Sequence, residues 1–171
     1  LTKLLLDKGY DVAHLSRNPT PTLPEGEREP TLESSPLSYA EGGKKNGEKI
    51  KSYRWDIDKG WIEEGAIENA DYIIHLAGAG IADKRWTNKR KKEIADSRIK
   101  TANLLYEKVK ASNVILKAFI SASAIGYYGT VTTDKIHTED NLPARGFLGK
   151  TCQLWEKAAD QFSSLDIRTV K

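Results

Sequence analysis

The chain has 171 residues, of which 39% are hydrophobic, and this supply of apolar side chains suits one domain of ordinary size. It carries 27 lysines and arginines against 24 aspartates and glutamates, a balance unlike that of a histone-like polycation or a disordered polyanion. A single cysteine excludes an internal disulfide, and no apolar run approaches the roughly 20 residues that span a bilayer. We therefore expect a cytoplasmic protein without a membrane partner.

The predicted elements alternate between helices and strands along the chain. Residues 18–49 interrupt the alternation, because several prolines, glycines, serines and glutamates leave them without a hydrophobic period, and we expect a mobile surface insertion there. In chain order we predict a helix over 1–8, strands over 11–15 and 50–55, a short helix over 61–67, a strand over 71–76, a helix over 87–110, a strand over 116–120, a helix over 148–163 and a strand over 166–170.

This alternation of helices with apolar strands predicts an α/β fold with a doubly wound parallel sheet. Ligands of such sheets bind at the carboxyl ends of the strands, so segments that directly follow strands should line one crevice. These segments are Ser16–Arg17, Asp56, Ala77–Gly80 and Ser121–Ser123.

The helix predicted over 87–110 is rich in lysine and arginine. Its basic run at 88–92 lacks interleaved aromatic residues for base stacking, so we interpret it as a solvated face and expect no nucleic-acid partner. The alternative, a nucleic-acid binder, predicts an affinity that falls steeply with salt. The apolar stripe that should pack this helix comprises Ala95, Ile99, Ala102, Tyr106 and Val109.

Ser16 and Arg17 follow the first predicted strand, where dinucleotide-binding folds meet the adenosine ribose. An acidic residue there would accept a hydrogen bond from a free 2′-hydroxyl, whereas arginine with a neighbouring serine suits a 2′-phosphate. We therefore predict NADP(H) in preference to NAD(H). The small residues within Leu76–Gly80 would allow the backbone to lie close beside the cofactor, although Gly78-x-Gly80 does not continue as a phosphate-binding loop.

Two serines and two tyrosines follow the strand predicted over 116–120. A hydroxyl of Ser121 or Ser123 would orient a substrate carbonyl or carbinol near a nicotinamide. Tyr127 or Tyr128 would donate a proton if a cation lowered the phenol pKa, although packing is the simpler interpretation of an aromatic pair between glycines. The three histidines lie far apart without carboxylate or thiol neighbours at ligand spacing, so we predict no metal site. We expect His75 to be a hydrogen-bonded core residue, and Cys152 to be buried.

Several segments together resemble the extended short-chain dehydrogenase/reductase superfamily, and most closely its atypical NAD-dependent epimerase/dehydratase subgroup. They are residues 75–78 (His-Leu-Ala-Gly), 81–87, 96–99, 119–129 and the Trp-Glu pair at 155–156. The resemblance implies a Rossmann-type domain over residues 1–171 that binds NADP(H). Ser16 and Arg17 would then contact the adenosine phosphate, with Leu76, Ala77, Gly78 and Ser121 beside the rest of the cofactor.

The resemblance also implies that a glycine-rich first strand and loop, and a C-terminal substrate region, lie outside this sequence. The absence of methionine agrees with that expectation. The missing strand would lie between the strands predicted over 11–15 and 71–76. We therefore expect the sheet to be incomplete, and the 171 residues on their own to be marginally stable.

The sequence departs from the superfamily at the catalytic pair. Members carry Tyr-x-x-x-Lys at the start of the helix after the serine loop, and the lysine lowers the pKa of the tyrosine. With Glu156 as the anchor, these places fall on Leu148 and Cys152, which cannot supply that chemistry. Ser123 and then Tyr128 are thus the catalytic candidates.

Two functions follow from these residues. The first is an NADP(H)-dependent epimerase-like oxidoreductase that acts on a small or nucleotide-linked alcohol or carbonyl. The alternative is a catalytically impaired NADP(H)-binding sensor or partner-binding protein. The sequence does not indicate the oligomeric state.

Overall fold

The structure, a computed structural model, describes residues 1–17, 50–131 and 134–171. The insertion predicted at 18–49 lies outside the described residues. The chain divides into two compact units, Leu1–Ala66 and Ile67–Lys171, and each contains one three-stranded sheet. The parallel strand pairs in both sheets confirm the predicted α/β class.

In the first unit a parallel pair of strands is extended by one short antiparallel strand. Helix α1 (Thr2–Asp7) precedes β1 (Ala13–Ser16), which pairs in parallel with β2 (Lys51–Asp56). Strand β3 (Trp61–Ile62) pairs antiparallel with the end of β2. Tyr53 and Trp55 of β2 are buried, so β2 supplies the apolar centre of this unit.

The short helix predicted over 61–67 is wrong. The first two residues form β3, where Ile62 is buried opposite Trp55, and turns follow. Gly60 and Gly65 have φ values of 61° and 81°, which glycine adopts without steric cost and which a helix cannot contain. The pairing of Ile62 with β2 therefore outweighs a weak local helical period.

The second unit carries a fully parallel sheet in the order β4-β5-β6. Its strands are β4 (Tyr72–His75), β5 (Ala118–Ser121) and β6 (Arg168–Val170), and its helices are α2 (Asn88–Ser112) and α3 (Phe147–Asp160). Short 3-10 helices span Ile125–Tyr128 and Gln161–Leu165. Helices α2 and α3 pack on each other, so the strand and helix pattern predicted for this part of the chain is confirmed.

A column of aromatic rings forms the core of the second unit. Phe119 of β5 stacks on Phe162 with 3.7 Å between ring centroids, and His75 of β4 stacks on the Phe119 ring at 5.9 Å. Trp155 of α3 meets His75 edge-on at 6.4 Å, and Tyr106 of α2 meets Phe162 at 5.6 Å. Two strands and both long helices are therefore joined through one set of rings.

Helix α2 buries a different face from the predicted one. Ala102 and Val109 are buried as expected, but the other three stripe residues are only half-buried. The buried face is rotated by about one residue because arginine side chains fold inward and bond to backbone carbonyls. Its members are Arg90, Ile94, Arg98, Thr101, Ala102, Leu105 and Val109. The interpretation of the basic run at 88–92 as a solvated face is thus wrong for Arg90.

Gly149, near the start of α3, lies directly against the backbone of the preceding loop. A Cβ built on Gly149 would overlap the carbonyl oxygen of Ala144. We therefore expect Gly149→Ala to lower the free energy of unfolding by about 1–3 kcal/mol, as overpacking typically does. Urea denaturation followed by circular dichroism measures this loss.

Gly146→Ala is the matched control. No atom lies within 4 Å of a Cβ added at Gly146, and its φ of −71° suits any residue. We expect this substitution to change the free energy of unfolding by no more than about 0.5 kcal/mol, because a weaker helix cap is offset by a less flexible unfolded chain. Equal losses for the two variants would contradict the close-approach argument.

None of the helices in the described parts of the chain has both the length and the apolar character needed to cross a bilayer.

Candidate functional site

The carboxyl ends of β4 and β5 lie side by side. His75 is the strand partner of Ser121, and the amide nitrogen of Ala122 donates to the His75 carbonyl at 3.0 Å. The segments that follow these strands therefore start next to each other, as the sequence predicts for two walls of one crevice. In the first unit Ser16 ends β1, and Arg17 follows it with an exposed side chain.

The loop after β4 is anchored to helix α2. The amide nitrogen of Ala79 donates to Ser97 Oγ at 2.8 Å, and the Ala79 carbonyl accepts from Arg98 Nη1 at 3.0 Å. A Cβ on Gly78 would lie 2.7 Å from Arg98 Cζ, so this glycine makes room for the guanidinium. The side chain of Leu76 is 60% exposed and presents an apolar surface directly after the strand.

Ser123 is hydrogen-bonded to a carboxylate on helix α3, a contact that the sequence does not predict. Its hydroxyl donates to Glu156 Oε1 of α3 at 2.5 Å, and Lys171 Nζ lies 3.6 Å from the other oxygen of that carboxylate. Ser123 and Glu156 are 33 positions apart, so only the packing of α3 on the loop after β5 reveals the pair. Ser121 is buried, and its hydroxyl donates to the Ala122 carbonyl at 3.0 Å.

Tyr128 does not have the surroundings that would make its phenol a ready proton donor. Its hydroxyl donates to the Thr138 carbonyl at 2.9 Å, and its ring stacks on His137 at 4.6 Å. Burial and then the negative charge of Glu139 raise the pKa of the Tyr128 phenol above its ordinary value of 10.0. Among the described residues, none of the groups that act on this pKa is a cation. The contacts of Tyr128 therefore fit the simpler interpretation, that it packs.

A pocket of about 660 Å³ opens between the loop after β5 and the helices α2 and α3. Its walls are mainly apolar, with polar groups from Arg98, Tyr128, His137, Thr151 and Cys152. Leu148 and Cys152, the two places aligned with the tyrosine–lysine pair, both line it. Of the predicted site residues in this unit, Tyr128 lines the pocket, whereas Ser121, Ser123 and Leu76–Gly78 lie outside its lining.

Cys152 is buried, as predicted, and carries no charge into the pocket. Its thiol donates to the Ala124 carbonyl at 3.7 Å. Burial, with the neighbouring charge of Glu156, raises the pKa of the Cys152 thiol above its ordinary value, although the charge of Arg98 acts the other way. The position at which the resemblance implies a lysine therefore holds a neutral thiol here.

His75 is a core histidine with both ring nitrogens bonded, as the sequence predicts. Its Nε2 lies 2.8 Å from Thr101 Oγ1, and its Nδ1 accepts from the Trp155 indole nitrogen at 3.4 Å. Within residues 1–17, 50–131 and 134–171, no group of three or more histidine, cysteine, aspartate and glutamate side chains is arranged to hold a metal ion.

Known proteins resemble the chain in sequence and fold. Residues 1–148 match the model of the NAD dependent epimerase/dehydratase family. The epimerase family protein ML0860 of Mycobacterium leprae is 36% identical over 104 residues, which are 61% of this chain and 33% of that protein. The chain thus spans about a third of the length of that relative.

Two solved structures share the fold. The nucleoside-diphosphate sugar epimerase from Corynebacterium glutamicum is 31% identical, with a TM-score of 0.54 over 72% of this chain and 24% of that one. The human epimerase family protein SDR39U1, solved with NADPH, is 23% identical, with a TM-score of 0.63 over 92% of this chain and 43% of that one. These matches confirm the predicted Rossmann-type fold. Because the family model covers most of the chain, the protein belongs to the NAD dependent epimerase/dehydratase family, as its sequence predicts.

Proposed function

We propose that the protein is an NADP(H)-binding, epimerase/dehydratase-like oxidoreductase that acts on a small or nucleotide-linked alcohol or carbonyl compound. The observation that carries the proposal is the family match over residues 1–148, which include every candidate cofactor position. The proposal also treats residues 1–171 as part of one nucleotide-binding domain and places the protein in the cytoplasm.

The residues proposed for the cofactor suit a nicotinamide dinucleotide. Arg17 is exposed at the end of β1, where its guanidinium is free to approach a 2′-phosphate. The exposed side chain of Leu76 offers an apolar surface directly after β4. When bound, the dinucleotide supplies hydride chemistry, and the chain itself must hold or move the proton.

Ser123 and Glu156 form a proton relay in this proposal. The Ser123 hydroxyl donates to the Glu156 carboxylate, so its oxygen lone pairs are left to accept a hydrogen bond from a substrate alcohol. Loss of the alcohol proton to Ser123 Oγ, with transfer of the serine proton to Glu156 Oε1, leaves the substrate oxygen ready to become a carbonyl. The reverse transfer protonates a reduced carbonyl.

Substitution of Ser123 tests the relay. We expect Ser123→Ala to lower turnover by about 100-fold or more while NADPH affinity stays within about threefold, because only proton transfer is lost. Glu156→Gln keeps a hydrogen-bond acceptor but removes the base, so turnover should fall. Unchanged turnover in both variants, measured on a broad panel of carbonyl compounds and sugar nucleotides, would exclude the relay.

Cofactor preference tests the role of Arg17. We expect Arg17→Ala to weaken NADPH binding about tenfold or more and NADH binding by less than about threefold, because only NADPH carries the 2′-phosphate. Fluorescence titration of the reduced cofactors measures both affinities. Lys8→Ala, which removes another exposed cation of the same unit, is the control and should affect neither cofactor. A wild-type protein that binds NADH as tightly as NADPH would contradict the preference.

The second candidate is an NADP(H)-binding protein without turnover, a sensor or partner-binding module. The observation that favours it is the apolar leucine and neutral thiol in the pocket, at the places of the usual tyrosine and lysine. Turnover that disappears in Ser123→Ala would exclude this candidate. Cofactor binding without turnover on the whole panel would favour it.

A further inference from the structure

Within the part of the chain that the structure describes, the guanidinium of Arg98 is a buried cation without an anionic partner. Arg98 is 9% exposed, and its Nη1 donates to the carbonyls of Ala79 at 3.0 Å and Ile94 at 2.9 Å. Its Cζ lies 5.2 Å from the centroid of the Trp155 ring. In the parts of the chain that the structure describes, Nε and Nη2 of Arg98 make no hydrogen bond, and no carboxylate pairs with the side chain.

Arg90, two turns earlier on the same buried face of α2, is in contrast paired with two carboxylates. Arg90 Nη1 lies 2.8 Å from Glu93 Oε1, and its Nη2 lies 3.3 Å from Asp83 Oδ2. An uncompensated buried charge is costly. Among the described residues, two carboxylates pair with Arg90 and none pairs with Arg98. Burial lowers the pKa of the Arg98 guanidinium and is the largest influence on it; Cys152 acts in the opposite direction, and the positive charge of Arg90 adds a smaller lowering effect. A bound anion would therefore stabilise the charged form of Arg98.

Arg98 contributes to the wall of the pocket. Because Arg98 lines the pocket, its Nε and Nη2, which make no hydrogen bond within the described residues, are available to a molecule bound there. Around it the walls are apolar, with Ile94, Leu148 and Trp155 among the lining side chains. A planar guanidinium with free donors next to an apolar wall suits a molecule with an acidic head and an apolar body.

We propose that this pocket binds an oxyanion, a carboxylate or a phosphate, at the Arg98 guanidinium, with an apolar part of the same molecule packed on Ile94, Leu148 and Trp155. The inference deepens the proposed function, and rests on it in assigning the oxyanion to the substrate or to a cofactor phosphate. The binding site itself follows from the geometry of Arg98.

A pair of probes tests the proposal on the unaltered protein. 3-Phenylpropanoate and 3-phenylpropan-1-ol share an apolar body and differ in the anionic head. We expect calorimetric titration to show about tenfold or more tighter binding of the carboxylate, and inorganic phosphate to compete with it. Equal affinities for acid and alcohol would overturn the proposal without any variant being made.

Cys152→Asp supplies the missing partner from inside the protein. Cys152 lines the same pocket and lies near enough for a charge at its position to act on the Arg98 guanidinium. A carboxylate at this position should neutralise Arg98 and reduce the preference for 3-phenylpropanoate to about threefold or less. Cys152→Asn, of the same shape without the charge, should keep the preference. A preference that persists in folded Cys152→Asp overturns the proposal; if that variant does not fold, the comparison of the two probes on the unaltered protein decides.

Titration in the presence of NADPH separates the two sources of the oxyanion. If 3-phenylpropanoate still binds when NADPH is saturating, the oxyanion site belongs to the substrate. If NADPH displaces 3-phenylpropanoate competitively, Arg98 holds a cofactor phosphate, and both results support the site. A protein that binds the carboxylate but neither NADPH nor NADH would contradict the proposed function and leave the oxyanion site standing.

Discussion

Replacement of Phe119 by alanine is expected to lower the free energy of unfolding by about 3–5 kcal/mol. The Phe119 side chain is 0% exposed, and its ring lies between those of Phe162 and His75. Removal of the ring loses the free energy of its burial. It also leaves a cavity, which Phe162 and His75 cannot both move to fill because they belong to different elements. Urea denaturation followed by far-ultraviolet circular dichroism measures the loss.

Ile115→Ala is the control for this prediction. Ile115 lies in the same unit, just before β5, and its side chain is 91% exposed. We expect Ile115→Ala to change the free energy of unfolding by no more than about 0.5 kcal/mol, as is usual for surface positions. A loss of less than about 1 kcal/mol for Phe119→Ala would show that the aromatic column does not organise the unit.

Elements with one strong, continuous signal were predictable from the sequence. The apolar run that became β4 and the long period of α2 were located to within two residues at each end, and the helix begins with the side chain of Thr87 accepting from the Arg90 amide. The segment over 61–67 failed because its state is decided by pairing with β2. Its local pattern was compatible with either structure, and two glycines with positive φ lie directly before it (Gly60) and within it (Gly65).

The candidate site was likewise predictable from the sequence only in part. The loops after β4 and β5 were placed side by side by the general rule for parallel strands, and the register of the two strands confirms it. The Ser123–Glu156 contact was missed because it depends on how α3 packs on the loop after β5. The burial of Arg98 was missed because it depends on a contact that is distant in sequence. The guanidinium packs against Gly78, which has no side chain to exclude it.

The hydrogen bonds of His75 fix which ring nitrogen carries its proton. Thr101 Oγ1 donates its single proton to the carbonyl of Ser97 at 2.8 Å or of Arg98 at 2.9 Å. The hydroxyl oxygen must therefore accept from His75 Nε2, 2.8 Å away. Nδ1 is then left with a lone pair, which accepts from the indole nitrogen of Trp155. A second proton, on Nδ1, would face the indole N–H of Trp155, so that two donors would meet in the core without an acceptor between them.

This arrangement predicts that the protein loses stability between about pH 6.5 and pH 4. Burial, and then the positive charge of Arg98, lower the pKa of His75 from 6.5 to about 4. At pH 7 His75 is neutral whether the chain is folded or unfolded, so its full contribution is present. As the pH falls below 6.5, only the unfolded chain takes up the proton, and the free energy of unfolding should drop by about 3 kcal/mol by pH 4.

Urea denaturation of the protein and of His75→Gln at several pH values isolates this effect. Glutamine retains a donor for Thr101 but does not titrate, so the variant should be less stable than the wild type at pH 7 and lose less stability on acidification. Carboxylates that titrate near pH 4 contribute equally to both proteins and cancel in the difference. If the stabilities of the two proteins depended on pH in the same way, His75 would take up its proton as readily in the folded chain as in the unfolded chain. That result would contradict the hydrogen bond that Nδ1 accepts from Trp155.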